Sequence, residues 1–438
     1  MTGIKGWIHE LHSQRVRRVF VRILIAPDKF KGCLSATEVA ASIRQGIKFF
    51  EEKNPSVQVI TRSQPIGDGG EGTVSLICQD RSDCRIQSVP ALNAPGEDIL
   101  AEYYFCEADR AAPRAFLEMA SANGLASIPV ERRDPERSTS LGTGQLIRDA
   151  IQRGATEICV ALGGSATVDC GAGLLQALGF EFRARDQVID LQLSIQAGRS
   201  LADVLLDIEQ IKPTSSHALL NKSKLHIIAD VESPLNGDYG AIQNFAGQKG
   251  LATNRFALYR KAVEKFSAIC ENSLRSGPVY INQKTAAENA KQKGAPVRRD
   301  QLSLSDYPGA GAAGGLGFAL LLLGAKMHPG FEFFCETVGM KALLERTDLV
   351  ITGEGKLDAT SLSGKGPGGM ARLCKERGIS CIAIAGKVEN RSGLEQSGLF
   401  ADIREIGTGI SLEESVKRAP ELISVQVVEA LKSFLHVT

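Results

Sequence analysis

Short apolar runs recur along the chain, and each gives way to a turn rich in glycine, acid or lysine. Val21–Ala26 is the first. It passes into Pro27-Asp28-Lys29-Phe30-Lys31-Gly32, and Ser35-Ala36-Thr37-Glu38 then opens a helix to about Phe50, with the S-x-x-E spacing of a capping box. Val57–Thr61 predicts a second strand. It leads through Pro65-Ile66-Gly67-Asp68-Gly69-Gly70-Glu71-Gly72-Thr73 into a helix near Gln79. Ile158–Ala161 predicts a buried strand, followed by the turn L-G-G-S-A-T-V-D-C-G-A-G over 162–173 and a helix through Leu174–Leu178. Further strands are predicted at His226–Val231, Thr347–Ile351, Ser380–Ala385 and Asp402–Ile406, with a last helix near Pro420–Phe434. Strand and helix alternating in this way predict an α/β protein.

The order of the runs suggests two domains. Val21–Ala26, Val57–Thr61, Leu349–Ile351, Cys381–Ala385 and Asp402–Ile406 read as five parallel, helix-connected strands. The stretch between the second and third of these has short strands of its own, at Arg85–Val89, Ala101–Cys106 and Ala115–Met119. The simplest arrangement is a discontinuous α/β domain over 21–85 and 307–438, a second α/β domain inserted at 86–306, and an N-terminal extension at 1–20. An active site would then be expected in the cleft between domains. Residues 272–306 are polar without steady periodicity and read as an exposed excursion.

Composition narrows the function classes. At 438 residues the chain is long enough for two cores, and a net charge of +1 gives no field to draw in nucleic acid or an anionic membrane. Aromatic residues are 5%, with one Trp, so base-stacking platforms are not expected. The ten cysteines are scattered without a C-x-x-C, which predicts reduced thiols in a cytoplasmic protein. The first twenty residues lack the apolar core of a secretory leader, and no apolar run is long enough to span a bilayer. The expected partners are small molecules, with no nucleic acid or membrane, on a monomer or homodimer.

Carboxylates and lysines gather where the strands end: Asp28, Lys31, Asp68, Glu71, Ser165, Asp169, Asp230, Glu354, Lys356, Asp358 and Lys365. Phosphoryl transfer wants such parts. Lysines and backbone N–H groups neutralise phosphate oxygens, acids hold Mg²⁺, and one acid positions the attacking hydroxyl. No G-x-x-x-x-G-K-[ST], no G-x-G-x-x-G after the first strand and no G-x-S-x-G is present, which argues against a Walker-type NTPase, a nicotinamide dehydrogenase and an α/β-hydrolase. None of the six histidines has metal-ligand spacing, and His328 in M-H-P-G reads as part of a structured turn.

The chain resembles the bacterial-type, ATP-dependent D-glycerate kinase family from about Val21 to Leu431. The resemblance rests on I-A-P-D-K-F-K-G-C-L-S-A (25–36), G-D-G-G-E-G-T (67–73), L-G-T-G (141–144), G-G-S-A-T (163–167), Q-K-G (248–250), P-G-A-G-A-A-G-G-L-G (308–317) and I-T-G-E-G-K-L-D (351–358), in that order. It implies a flavodoxin-like domain, with a five-stranded parallel sheet, carrying an inserted α/β domain. It also implies transfer from ATP, with Mg²⁺, to D-glycerate, most often giving 2-phosphoglycerate. The family usually has Arg where this chain has Lys356, which keeps the charge but loses the bidentate fork.

On that reading Asp68 or Asp169 orients the glycerate hydroxyl, with Lys31 beside the reacting groups. Asp28, Lys31, Glu71, Ser165 and Lys365 bind substrate, and Glu354, Asp358 and Asp230 hold the metal. Gly163, Gly164, Ser165 and Thr167, together with Gly311, Gly314 and Gly315, approach phosphates, and either glycine turn suits the nucleotide. Two other readings compete. One is a kinase for another small hydroxy acid. The other is a non-catalytic glycerate or nucleotide sensor on the same scaffold, which would bind ligand without releasing ADP.

Overall fold

The computed structural model describes residues 19–107, 112–275, 303–363 and 366–437. Residues 1–18, most of the polar excursion at 272–306, and Gly364 and Lys365 lie outside them. The chain divides into two compact units, one of 1–68 with 334–438 and one of 69–333. The first is discontinuous in sequence, and its edges fall at Asp68 and Phe334 where sequence placed them at 85 and 307.

The first unit is built on a parallel sheet whose strands lie in the order Val57–Ser63, Val19–Ile25, Leu349–Leu357, Ser380–Val388 and Asp402–Glu405. In chain order this is 2-1-3-4-5, the flavodoxin-like arrangement. Ile23, Leu24, Ile25, Leu349, Val350, Ile351 and Ile382 are buried. A parallel sheet covered on both faces reads as continuous apolar runs, which is why these strands stand out in the sequence. The helix Ala36–Lys53 has the expected capping box. Ser35 Oγ accepts from Glu38 N at 3.3 Å, and the Glu38 carboxylate accepts from Ser35 N at 2.8 Å. Such a cap contributes about 1 kcal/mol.

One strand departs from expectation. Thr347–Ile351 was to end at a turn beginning with Thr352, but the strand runs from Leu349 to Leu357 and stays paired as far as Leu357 with Val388. Glycine makes the continuation fit. A Cβ on Gly353 would lie 2.1 Å from Ile384 O, and one on Gly386 would lie 2.4 Å from Gly355 O. Glu354 and Lys356 therefore sit on a strand, not past its end.

The second unit has a six-stranded mixed sheet, in the order Lys326–Pro329, Lys224–Ala229, Glu157–Ala161, Arg114–Glu118, Asp98–Cys106 and Cys84–Leu92. The first four strands are parallel and the last two antiparallel. His328 lies on the edge strand, its Nε2 3.0 Å from His226 Nδ1. The helices Leu141–Gln152, Ala172–Ala177 and Leu316–Leu322 bury Leu146, Ile147, Leu174, Leu175 and Phe318 in the core of this unit. A small antiparallel sheet of Phe180–Ala184, Gln187–Ile189 and Gln210–Pro213 was not anticipated. The expectation of reduced cysteines holds for eight of the ten and is corrected for one pair. Cys84 and Cys106 stand opposite each other at the open end of an antiparallel pair, Cα atoms 4.0 Å apart, and are joined as a disulfide. Sequence spacing says nothing about that register. No helix of the described residues is long and apolar enough to cross a membrane.

Candidate active site: an acid edge and a lysine turn

In the first unit three chain segments run on together past the carboxyl ends of the sheet. Ala26 N donates to Ile351 O at 2.9 Å, and Asp28 N to Gly353 O at 2.8 Å. Gln64 N donates to Ile25 O and Ile66 N to Pro27 O, both at 2.9 Å. Thr352 Oγ1 closes the seam onto Ala26 O at 2.7 Å. The strand order reverses between Val19–Ile25 and Leu349–Leu357, and open α/β sheets place ligands at such a point. These segments carry Asp28, Asp68, Glu354 and Asp358. Asp28 is only 8% exposed, and its Oδ1 accepts from Lys29 N at 2.7 Å.

Glu354 is the unusual group. Burial raises its carboxyl to about 7; a hydrogen bond from Ser361 opposes the shift, while the charges of Asp28, Asp358 and Asp68 add to it. Among the described residues its Oε1 is buried without a hydrogen-bond partner. An orphaned carboxylate oxygen among three other acids costs free energy in a bare protein and fits a hard divalent cation. Asp358 is more settled. Its Oδ1 accepts from Thr360 N at 2.8 Å and Thr360 Oγ1 at 2.6 Å, and these bonds, with Lys356 at 3.2 Å, hold it below the usual carboxylate range. Among the described residues no three carboxylates bring oxygens within 4.8 Å of one another, so a cation here would complete its shell with water or substrate. Lys31 is exposed beside this edge, its backbone N 3.3 Å from where a Cβ on Gly355 would lie.

The second unit contributes a turn built around a buried lysine. Lys249 is 3% exposed; its Nζ donates to Ser165 Oγ at 2.6 Å and to Thr167 O at 2.7 Å. Burial lowers the ammonium to about 7, against the pull of Asp169. Among the described residues of this unit, Thr167 Oγ1 and Thr139 Oγ1 are buried without hydrogen-bond partners. Gly163 packs against the other acid-bearing turn, since a Cβ there would lie 2.4 Å from Gly70 Cα. Glu71 is exposed, and its Oε2 lies 3.6 Å from where a Cβ on Gly164 would stand. Glu118 fixes the far side of that turn, accepting from Gly72 N at 3.0 Å and Val74 N at 2.8 Å.

Asp169 is fully buried, and donors surround it. Oδ2 accepts from Ser140 N and Ser140 Oγ at 2.7 Å and from Gly173 N at 3.0 Å, and Oδ1 accepts from Gly171 N at 3.1 Å. Burial pushes its carboxyl up while these bonds pull it back. That is the environment of a scaffold acid. Gly311, Gly314 and Gly315 are likewise explained by packing. Cβ atoms there would fall 2.2 Å from Pro234 O, 1.9 Å from Thr167 O and 2.6 Å from Cys170 Cα, and Gly314 and Gly315 adopt positive φ. Asp230 is half-buried just past the strand Lys224–Ala229. Lys365 falls outside the described residues.

The model of the glycerate kinase family matches residues 23–435. The chain belongs to the glycerate kinase family. It is 32% identical to the glycerate kinase of Bacillus subtilis (strain 168), over 92% of this chain and 94% of that protein. It is 33% identical to the glycerate 2-kinase of Escherichia coli (strain K12), over 91% of this chain and 94% of that one. A solved structure from Salmonella typhimurium LT2, provisionally designated glycerate kinase 2, superposes with a TM-score of 0.72 at 31% identity, covering 95% of this chain and all of that one. Family membership, the α/β fold with its five-stranded parallel sheet, and enzyme class thus agree with the sequence reading.

For this family member the sequence reading passed over two groups. Lys249 lies in the Q-K-G block, but a lysine before glycine reads as surface, and nothing local announces its burial. Glu118 closes an ordinary strand and holds the turn after Asp68 through contacts 44 and 46 residues away in sequence. The one legible signal was the Q-K-G block itself, left without a role.

Proposed function

We propose that this member of the glycerate kinase family transfers the γ-phosphoryl group of ATP to the 2-hydroxyl of D-glycerate. The observation that carries the reading is Glu354, a half-buried acid with an orphaned oxygen, placed by the sheet beside Asp28, Asp68 and Asp358. Glu354, Asp28 and Asp358 would hold Mg²⁺, some of them through water, and the ion when bound neutralises phosphate oxygens and so lowers the cost of the charge that builds on them. Asp68 accepts the proton of the glycerate hydroxyl. Asp169, named beside it from sequence, serves as scaffold, because its oxygens are taken by the turn's own donors. The exposed Lys31 pairs with an anionic group of the substrate. In the second unit Lys249 holds the Gly163–Thr167 turn, whose backbone N–H groups face phosphate oxygens, and Glu71 and Ser165 border it.

The name of the Escherichia coli relative, a glycerate 2-kinase, favours the 2-position. ADP release with a panel of small hydroxy acids tests the acceptor, and phosphorus NMR of the product tests the position. D-Glycerate should give the highest kcat/KM, and the new resonance should couple to the proton on C2. A preferred acceptor other than glycerate, or binding without turnover, would replace this reading with one of the two competing ones.

A further inference from the structure

The second unit also holds a cluster of sulfur atoms. Among the described residues, Cys78, Cys84 and Cys106 form the one group of three or more potential metal ligands whose ligand atoms all lie within 4.8 Å of one another. Cys78 ends the helix Thr73–Cys78, Cys84 opens the strand Cys84–Leu92, and Cys106 ends the strand paired with it. The link from Cys78 to Cys84 is pinned, with Arg81 N donating to Cys78 O at 3.1 Å and Cys84 N to Arg81 O at 3.2 Å. Cys78 and Cys106 are buried and Cys84 is half-buried, which leaves a route in from one side.

A carboxylate stands next to Cys84, outside the group of three. Asp83 Oδ1 is 4.0 Å from Cys84 Sγ. Arg81 orients that carboxylate through Nε at 3.1 Å and Nη2 at 2.7 Å, the kind of outer support that ligating carboxylates commonly have. Tetrahedral zinc with Zn–S of about 2.3 Å separates its sulfurs by roughly 3.8 Å, so the sulfurs of Cys84 and Cys106, bonded to each other in the disulfide, would have to move apart on reduction, while that of Cys78 already lies within 4.8 Å of both.

We propose that Cys78, Cys84 and Cys106, flanked by Asp83 beside Cys84, form a three-thiolate binding site for a thiophilic cation of the zinc class, open only when the Cys84–Cys106 bond is reduced. A dithiol reductant cleaves that bond by exchange, gives one hydrogen to each sulfur and itself closes to a disulfide. The cation then displaces three thiol protons to solvent and takes three thiolates. Disulfide and metal are thus alternative states of one site. Bound metal ties the end of the helix that follows the Asp68 turn to the hairpin of the second unit.

The test titrates the full chain with Cd²⁺, reading thiolate-to-metal charge-transfer absorbance, in reduced and oxidised protein. One equivalent should bind in the reduced protein. It should be missing in the oxidised protein and in the triple variant Cys78→Ser, Cys84→Ser, Cys106→Ser, judged folded by circular dichroism. An undiminished band in the folded triple variant, or none in reduced wild type, overturns the proposal. If the triple variant does not fold, wild type decides alone. Zn²⁺ should slow alkylation of Cys84 in the reduced protein, mapped by mass spectrometry, and an equal rate with and without Zn²⁺ overturns the site.

Discussion

The two units treat a buried charge in opposite ways. The first holds an acid that burial pushes up to about 7, among other acids, with one oxygen lacking a partner among the described residues. The second holds a lysine that burial brings down to about 7, with two of its donors spent on Ser165 and Thr167. Desolvation disfavours the charged form in both cases, so one pKa rises and the other falls. The difference lies in what each group still needs. The acid edge is left incomplete and asks for a cation, whereas the lysine already has protein partners and organises a turn. The first is a place to bind and the second a place to position.

The sharpest way to break this comparison is to exchange the two aspartates that sequence could not separate. Asp68→Asn should fold with stability close to wild type and lose about 10² to 10⁴ in kcat, the usual worth of a positioned proton acceptor. Asp169→Asn should do the reverse. It sets an amide NH₂ among groups that all donate, which costs on the order of 3 kcal/mol, seen as a lower urea midpoint. If Asp169→Asn keeps its midpoint and loses turnover, the working acid belongs to the second unit.

Next in size is Glu354. Its ionised form is the one that would hold Mg²⁺, so with limiting Mg²⁺ the rate should fall as pH drops below about 7. Added Mg²⁺ competes with protons and should move that midpoint down. Glu354→Gln should lose activity and flatten the profile. A midpoint that ignores Mg²⁺ would detach Glu354 from the metal. The fold reports on the same group. Because the folded pKa is raised from 4.5, the stabilising contribution of Glu354 is complete below 4.5 and is lost as pH rises to about 7. Glu354→Gln should remove that slope from denaturation midpoints.

Lys249 should show the opposite sign. Its folded pKa is lowered from 10.5, so its contribution is complete above 10.5 and is lost as pH falls through about 7. Lys249→Met should be flat across that window. It also leaves Ser165 Oγ and Thr167 O short of a donor, so the pH slope, and not the absolute midpoint, is the quantity to compare. Equal slopes for Lys249→Met and wild type would mean that the lysine is not buried as a charged group.

What could be read from sequence divides along the same physical line. The five parallel strands were legible because a sheet covered on both faces leaves unbroken apolar runs, and the helix at Ala36 because Ser35 and Glu38 mark its start. The seven glycine-rich and charged blocks pointed to the family. The strand continuing through Thr352–Leu357 was not legible, because its pairing depends on glycines in two strands meeting closely, which no local pattern encodes. Nor were the register that joins Cys84 to Cys106, the burial of Lys249, or the donors around Asp169. Each of these is settled by residues distant in sequence. Asp28, Asp68 and Glu354 could be named from the turns they occupy. Which acid is short of a partner could not, since a partner is a property of the fold.

The smallest effect should come from the outer edge of the acid site. Lys356 is 51% exposed, with Nζ 3.2 Å from Asp358 Oδ2 and 2.9 Å from Glu389 Oε2, and Lys387 reaches Glu389 at 3.3 Å. Exposed pairs of this kind contribute little to stability and fade with salt. Asp358 keeps both Thr360 donors when the lysine is removed, so its carboxylate should stay ionised. Lys356→Ala should therefore shift the denaturation midpoint only slightly, with the difference vanishing in high salt, and should change the apparent Mg²⁺ affinity by less than about threefold. Lys356→Arg restores the charge and adds a planar fork, so it should recover any loss. If Lys356→Ala instead costs as much activity as Glu354→Gln, the site reaches outward to the exposed lysines. The first unit would then position with cations as well as bind with acids, and the division of labour between the two units would have to be redrawn.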